Sequence, residues 1–252
     1  MANEWLEAVC GIARQAGEVV MAIYASDFEV RGKADASPVT LADERAEAVI
    51  VAALRELAPG VPIVAEEAVA AGQVPQSAAR FWLVDPLDGT KEFISRNGEF
   101  TVNIALVEDG TPVLGVVLAP AIGRLFAGRV GHGAWVEEGG GRCPIRCRQV
   151  PPEGLTVVAS RSHGDAAALD AFLGGRPVAA LRNAGSSLKL CLVAAGEADL
   201  YPRLGRTMEW DIAAGHAVLA AAGGRVTDLD GAPLRYGKPG FDNPHFVASG
   251  LA

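Results

Sequence analysis

The aspartates Asp85 and Asp88 close an apolar run in the stretch WLVDPLDGTKEF, Trp82 to Phe93. A lone carboxylate at the edge of a buried sheet is costly unless it is paired or bound to a cation. Pro86 fixes φ and removes a ladder donor, so the strand is expected to end at Asp85 and the chain to turn. The turn can bring Asp88 to the same side as Asp85. Gly89 permits close backbone approach, and Thr90 is expected to open a short helix whose free N–H groups suit a phosphate. Two hard oxygen ligands beside an anion cradle, with the Leu87 carbonyl as a further candidate, suit Mg2+ and a phosphorylated small molecule. The plain alternative for Asp88-Gly89 is an ordinary turn, where such pairs are common.

Other acids stand where apolar elements begin or end. Glu66 and Glu67 follow VPIVA, either as ligands or as a solvated loop start. Asp211 lies between Trp210 and IAAGHAVLAAAGG, where an acid also answers the helix macrodipole. Asp43 follows Thr40 by three residues, the spacing of a capping box. Each acid has a structural explanation of its own, and periodicity does not say whether they meet in space. Lys91 either adds positive charge beside the motif or is a solvated side chain. His132 in a glycine turn, His216 in an apolar helix and His245 near the C-terminus are expected to be structural. No Ser-His-Asp arrangement stands out, so a side-chain nucleophile is not supported.

These residues need elements to position them. Apolar residues from Trp5 to Ile23 recur at helical spacing and predict a first helix over about 3–25. A second helix follows Thr40 and stops at Pro59-Gly60. VPIVAEE and RFWLV are short strands. From Phe100, four strand-like runs separated by Asp109-Gly110, residues 121–124 and residues 131–133 predict an antiparallel meander. Beyond a break near Val150-Pro151-Pro152, strands (LTVVAS, ADLYPR) alternate with helices (GDAAALDAFL, SSLKLCLVAAG, EWDIAAGHAVLAAAGG), which predicts an α/β second half.

The bulk composition narrows the function classes. The chain has 252 residues, of which 50% are apolar and 21% charged, enough for a real core and against disorder. A net charge of -8 without any Lys/Arg-rich run argues against nucleic acid as a partner, but not against an anion held through a divalent metal. Of the cysteines, Cys143 and Cys147 alone are close, with no second pair, so neither zinc nor a disulfide framework is expected. The N-terminal stretch carries Glu4 and Glu7 and reads as an amphipathic helix, not a signal peptide. No segment approaches ~18 uncharged apolar residues. The expected location is cytoplasmic.

VAEE, WLVDPLDGT and EWDIAAGHAVLAAAGG resemble the three signatures of the inositol monophosphatase-like, lithium-sensitive, Mg2+-dependent phosphatases. SPVTLAD, DPLDGTKEFISRNGEFTVNIALVEDG, SRSH and GSSLKLCLVAAGEADLYPR are similar to its bacterial 3'(2'),5'-bisphosphate nucleotidase branch, over nearly the whole length. The resemblance implies a layered α/β sandwich in two lobes. Residues 1–150 would form an antiparallel-sheet lobe carrying most metal ligands. Residues 151–252 would form an α/β lobe carrying Asp211 and nucleotide contacts. It also implies two or three Mg2+ ions. Glu66, Asp85 and the Leu87 carbonyl would bind the first, and Asp85, Asp88 and Asp211 the second. Asp43 would serve a third, weaker ion or the attacking water, and Thr90 would orient a water on the metal, making Asp43, Glu66 and Thr90 the catalytic set. Leu87, Asp88, Gly89 and Thr90, with Glu66 and Asp211, would contact the scissile phosphate. Arg161, His163, Gly185, Ser186, Ser187 and Lys189 would contact the nucleotide. The implied reaction converts adenosine 3',5'-bisphosphate to AMP and phosphate, in sulfur assimilation or nucleotide recycling. Alternatives are inositol monophosphatase or fructose-1,6-bisphosphatase activity and, remotely, a catalytically silent nucleotide-binding protein. The resemblance leaves open a monomer or homodimer and peripheral attachment at the inner membrane. Glu209, before the Trp-Asp pair, has no role in this reading.

Overall fold

The computed structural model describes residues 2–28, 30–32, 38–75, 78–160 and 166–251. Helix α1 (Ala2–Tyr24) is followed by the short antiparallel pair β1 (Val30–Gly32) and β2 (Pro38–Thr40), then helix α2 (Leu41–Leu57). Leu6, Val9, Ala13, Ala16 and Val20 line the buried face of α1 at the spacing that predicts it. Thr40 caps α2: its hydroxyl accepts the Ala42 N–H at 3.1 Å, and Asp43 accepts the Thr40 N–H at 2.8 Å.

Strand β3 (Ile63–Ala65), helix α3 (Glu66–Ala70), strand β4 (Arg80–Asp88) and helix α4 (Thr90–Ile94) come next. The meander is β5 (Thr101–Glu108), β6 (Thr111–Ala119), β7 (Arg124–Arg129), β8 (Gly133–Glu138) and β9 (Gly141–Ile145). Together β3 to β9 form a seven-stranded sheet in sequence order, antiparallel except for the β3–β4 pair. Two sequence expectations are corrected here. The meander has a fifth strand, β9, whose glycine-rich start hides its period. Strand β4 does not end at Asp85: pairing resumes at Asp88↔Thr101 after Asp85↔Asn103, with the irregularity between them. The missing N–H of Pro86 falls in this bulge rather than in a regular ladder.

The second half contains β10 (Leu155–Ser160), α5 (Ala166–Leu173), β11 (Val178–Ala184), α6 (Leu188–Ala194), β12 (Leu200–Arg203), α7 (Glu209–Ala221), β13 (Arg225–Asp228) and β14 (Phe246–Ser249). Its sheet has the order β11-β10-β12-β14-β13, with β10 parallel to both neighbours and β14 antiparallel to both of its own. Strands β11, β13 and β14 go beyond the sequence expectation. The first is an almost wholly exposed edge without a buried face to imprint a pattern, and the other two are four residues each.

The elements stack as α/β/α/β/α. Helices α1 and α2 cover one face of the large sheet, burying Val9, Ile50 and Leu54 against Trp82, Ile104 and Val116. Helices α6 and α7 fill the space between the sheets, where Leu190, Ala213 and Val218 meet Leu83, Val117 and Phe126 from one side and Tyr201 and Phe246 from the other. Helix α5 covers the outer face of the smaller sheet through Leu173, near Val157 and Leu200. The depth of α7 is set by glycines: a Cβ on Gly115 would lie 2.2 Å from the Ala214 carbonyl oxygen, and one on Gly128 2.8 Å from the Val218 Cα.

Within α7, His216 is buried and its Nδ1 lies 2.9 Å from the Tyr236 hydroxyl. Burial pushes His216 down to about 4. The unfolded chain therefore binds a proton below pH ~6.5 that the fold refuses until about pH 4, and stability is lost as the pH is lowered through that window. The loss is expected to be about 3 kcal/mol by linkage. Urea melts of His216→Gln should lose this part of the slope between pH 6.5 and 4; an unchanged slope would place the acid sensitivity elsewhere.

Candidate active site

Parallel pairing delivers the first two acids together. Ala65 is in register with Val84, so the residues that follow, Glu66 and Asp85, leave the same end of adjacent strands. Asp88 ends β4 after the bulge, and the Asp85 Oδ1 accepts the Leu87 N–H at 3.0 Å within it. Asp211 arrives from the first turn of α7, its Oδ2 accepting the Met208 N–H at 2.8 Å. Asn103, opposite Asp85 on β5 and fully buried, lies with its Nδ2 3.4 Å from the Asp88 Oδ2 and 3.4 Å from the Asp211 carbonyl.

These acids repel one another. Asp85 is 1% exposed. Burial first, then Glu66, Asp88 and Asp211, push its carboxyl well above the usual carboxylate range. Asp211 is raised in the same way by burial, then Asp88 and Glu66, against the Met208 N–H and Arg203. Burial raises Asp88 too, opposed by Lys189 and by the Ser186 hydroxyl, which donates to its Oδ2 at 2.8 Å. Among the described residues no three acids close on one point as a completed cation shell. Like charges in a low-dielectric pocket spread apart.

The surroundings hold the cluster. Gly89, at φ 87°, takes the left-handed turn into α4. Thr90 Oγ1 then lies 3.4 Å from the Asp43 Oδ1 and 3.3 Å from the Leu87 carbonyl. Glu47, buried on α2, accepts the N–H groups of Glu67 at 2.7 Å and Ala68 at 2.9 Å, which anchors the start of α3 and so Glu66. A cavity of about 400 Å³ opens beside Asp88, Thr90 and Asp211, with Lys189, Arg203 and Arg206 on its wall. Glu66 faces an adjoining depression that shares Arg206 and Met208 with it. Lys189 is buried, donates to the carbonyls of Ser186 at 2.5 Å and Ala184 at 3.3 Å, and is pushed down to about 8 by burial despite Asp88.

The residues expected to touch a nucleotide divide. Ser186 points at Asp88 and also hydrogen-bonds Thr101; its backbone is left-handed, at φ 54°. Ser187 is buried on the cavity wall, its hydroxyl without a partner among the described residues. Gly185 stands behind the wall instead: its N–H goes to Glu99 at 2.8 Å, and a Cβ there would lie 2.5 Å from the Glu99 carbonyl oxygen. Arg161 and His163 lie outside the described residues. Sequence reasoning missed Asn103, Arg203 and Arg206. Asn103 left a signal, a lone amide within the apolar strand TVNIALV. The two arginines left none, because nothing in LYPRLGR says which cavity it borders.

The donor set fits a divalent cation. Carboxylates and a backbone carbonyl are the hard oxygen ligands that Mg2+ takes. Facing acids in a buried corner carry the excess negative charge that such an ion neutralises. A carboxyl held above its ordinary value destabilises the fold at any pH where it is ionised. Asp85→Asn is therefore expected to melt ~2–4 °C higher than the parent in Mg2+-free buffer, about 1 kcal/mol. Added Mg2+ should raise the melting temperature of the parent and not of the variant. A variant that melts lower and keeps its Mg2+ response would remove Asp85 from the cation site.

The chain matches the model of the inositol monophosphatase family over residues 1–249. It is 51% identical over 247 residues to the 3'(2'),5'-bisphosphate nucleotidase CysQ of Escherichia coli K12, covering 97% of this chain and 99% of that one. Identity to the CysQ of Salmonella typhimurium is 50% over 244 residues, with 96% and 98% covered. The crystal structure of CysQ from Bacteroides thetaiotaomicron superposes with a TM-score of 0.83 at 38% identity, covering 98% of this chain and 97% of that one. An inositol monophosphatase from Anabaena gives 0.77 at 28% identity, with 98% and 91% covered. The signatures that supply Glu66, Asp85, Asp88 and Asp211 thus sit in a fold shared along almost its entire length, and the chain belongs to the inositol monophosphatase family.

Proposed function

We propose that this chain is a Mg2+-dependent 3'(2'),5'-bisphosphate nucleotidase that hydrolyses adenosine 3',5'-bisphosphate to AMP and phosphate, a step of nucleotide recycling in sulfur metabolism. The observation that carries the reading is a cavity lined by charged groups of both signs. Asp88 and Asp211 line it together with Lys189, Arg203 and Arg206. A phosphate to be cleaved belongs with the acids and their cations, and a second phosphate has the basic side chains to meet. The likeness to proteins named bisphosphate nucleotidases supports the same choice.

Uncatalysed phosphate monoester hydrolysis is among the slowest biological reactions, so the site must stabilise much charge. Glu66, Asp85 and the Leu87 carbonyl would hold one Mg2+, and Asp85, Asp88 and Asp211 a second. Bound there, the ions supply a lowered pKa for the attacking water and charge neutralisation for the phosphoryl and leaving oxygens. The chain's own groups do the rest. The Thr90 hydroxyl, between the Asp43 Oδ1 and the Leu87 carbonyl, donates to one of them and offers its lone pairs to the attacking water. Asp43 stands next to Thr90 as the acceptor for the proton that water releases. Lys189, pushed down to about 8 by burial, sets its amine against the Asp88 carboxylate, which favours its charged form. Ser186 fixes the orientation of the Asp88 carboxylate.

Phosphate release from adenosine 3',5'-bisphosphate should exceed release from inositol monophosphate and fructose 1,6-bisphosphate. It should vanish in EDTA and be inhibited by sub-millimolar to millimolar lithium. Arg203→Met should raise KM for the bisphosphate about tenfold while leaving inositol monophosphate turnover within twofold, the loss of one charged contact. Equal rates on the three substrates, or full activity in EDTA, would refute the assignment.

A further inference from the structure

Glu209 opens α7 two residues before Asp211 and is fully buried. A helix macrodipole favours an acid in the first turn, but that is a surface effect and does not require burial. The Glu209 carboxylate accepts three N–H groups: the backbone of Gly237 at 2.7 Å, the backbone of Lys238 at 3.0 Å and the Lys238 ammonium at 2.6 Å. The same ammonium donates to the Arg235 carbonyl at 2.5 Å and to the Asn243 Oδ1 at 3.2 Å. Asn243 in turn reaches back to the residues just before the helix. Its Nδ2 donates to the Met208 carbonyl at 2.8 Å, and its backbone N–H to the Thr207 carbonyl at 2.9 Å. Met208 and Asp242 form an antiparallel bridge, and the Trp210 ring packs 5.8 Å from that of Phe241. The segment 235–243 therefore makes a contact with each of residues 207–210.

Asp211 is the next acid of the same helical turn. Positions two apart on a helix point about 200° apart, so a carboxylate anchored at Glu209 turns Asp211 to the opposite face. That face borders the cavity that Asp88 also lines, where the charge of Asp211 bears on Asp85. Met208, held by Asn243 through its carbonyl, is also the residue whose N–H fixes the Asp211 Oδ2.

We infer that Glu209, with Lys238 and Asn243, is a positioning clamp that sets the rotation and depth of the first turn of α7 and thereby the cation affinity at Asp211. The inference rests on the cation-dependent reading of the site given above. A buried ion pair adds little dependable stability, since desolvation offsets most of its attraction. Its geometric effect is larger, because groups that orient a metal ligand typically change affinity or activity by 10–100-fold when removed.

The test uses the full chain carrying Glu209→Gln or Lys238→Met, with Mg2+ affinity measured calorimetrically and from the Mg2+ dependence of the melting temperature. Both variants are expected to weaken Mg2+ binding about tenfold or more. At saturating Mg2+, KM for adenosine 3',5'-bisphosphate should stay within threefold of the parent. Lys238 is partly exposed, so Lys238→Met decides alone if Glu209→Gln does not fold. Mg2+ affinity within twofold of the parent, with or without a lower melting temperature, would reduce the clamp to a packing feature and overturn the inference. A parent chain that itself fails to bind Mg2+ would instead overturn the reading of the acidic site, and the clamp's role with it.

Discussion

Mutual repulsion among Glu66, Asp85, Asp88 and Asp211 is the constraint around which the rest of this structure is arranged. Carboxylates of like charge in a buried corner separate unless the backbone forbids it. Here the backbone limits how far they can do so. Two acids leave parallel neighbours in a sheet, a third follows a bulge in the same strand, and the fourth stands on a helix pressed against that sheet. The fixed oxygen of each interaction is taken by a short-range donor: Leu87 N–H for Asp85, Ser186 for Asp88, Met208 N–H for Asp211. Such a site detracts from stability, and proteins commonly keep that trade where activity requires it.

Layering makes the arrangement rigid. Helix α7 lies between two sheets with an apolar face toward each, and glycines at Gly115 and Gly128 let it settle close to the strands. A shift of the helix would move Asp211 relative to β4, and close packing resists this on both sides. Asn103 adds a polar tie within the same layer, between the end of β4 and the start of α7. Asp211 is thus carried by a helix packed on both sides, which suits a site that must keep its geometry while charges change.

The cavity wall gives the site its direction. Lys189 is carried into the interior on α6, where burial weakens its hold on a proton and Asp88 opposes that effect. Arg203 lies at the end of β12, and Arg206 just beyond it. These basic groups come from the smaller sheet and its helices, whereas Glu66, Asp85 and Asp88 come from the larger one. An anion bridging the two would meet groups from both halves of the chain.

Read without a structure, the chain already fixed much of this. Helical periodicity and a Thr-Asp capping box located α1 and α2, because local packing and local hydrogen bonds imprint themselves on neighbouring residues. Turn glycines separated β5 to β8 for the same reason. The acids at the ends of apolar runs were visible as candidates, each one with a structural alternative. Tertiary structure alone decided how they are placed relative to one another, since the β3–β4 register and the docking of α7 are pairings between distant segments that no single segment encodes. It also kept β4 going past Pro86 by means of a bulge, moved Gly185 behind the cavity wall, and gave Glu209 its partners Gly237 and Lys238. A residue's type and local spacing state what it can do; which partner it finds depends on contacts that close only when the sheets and helices pack.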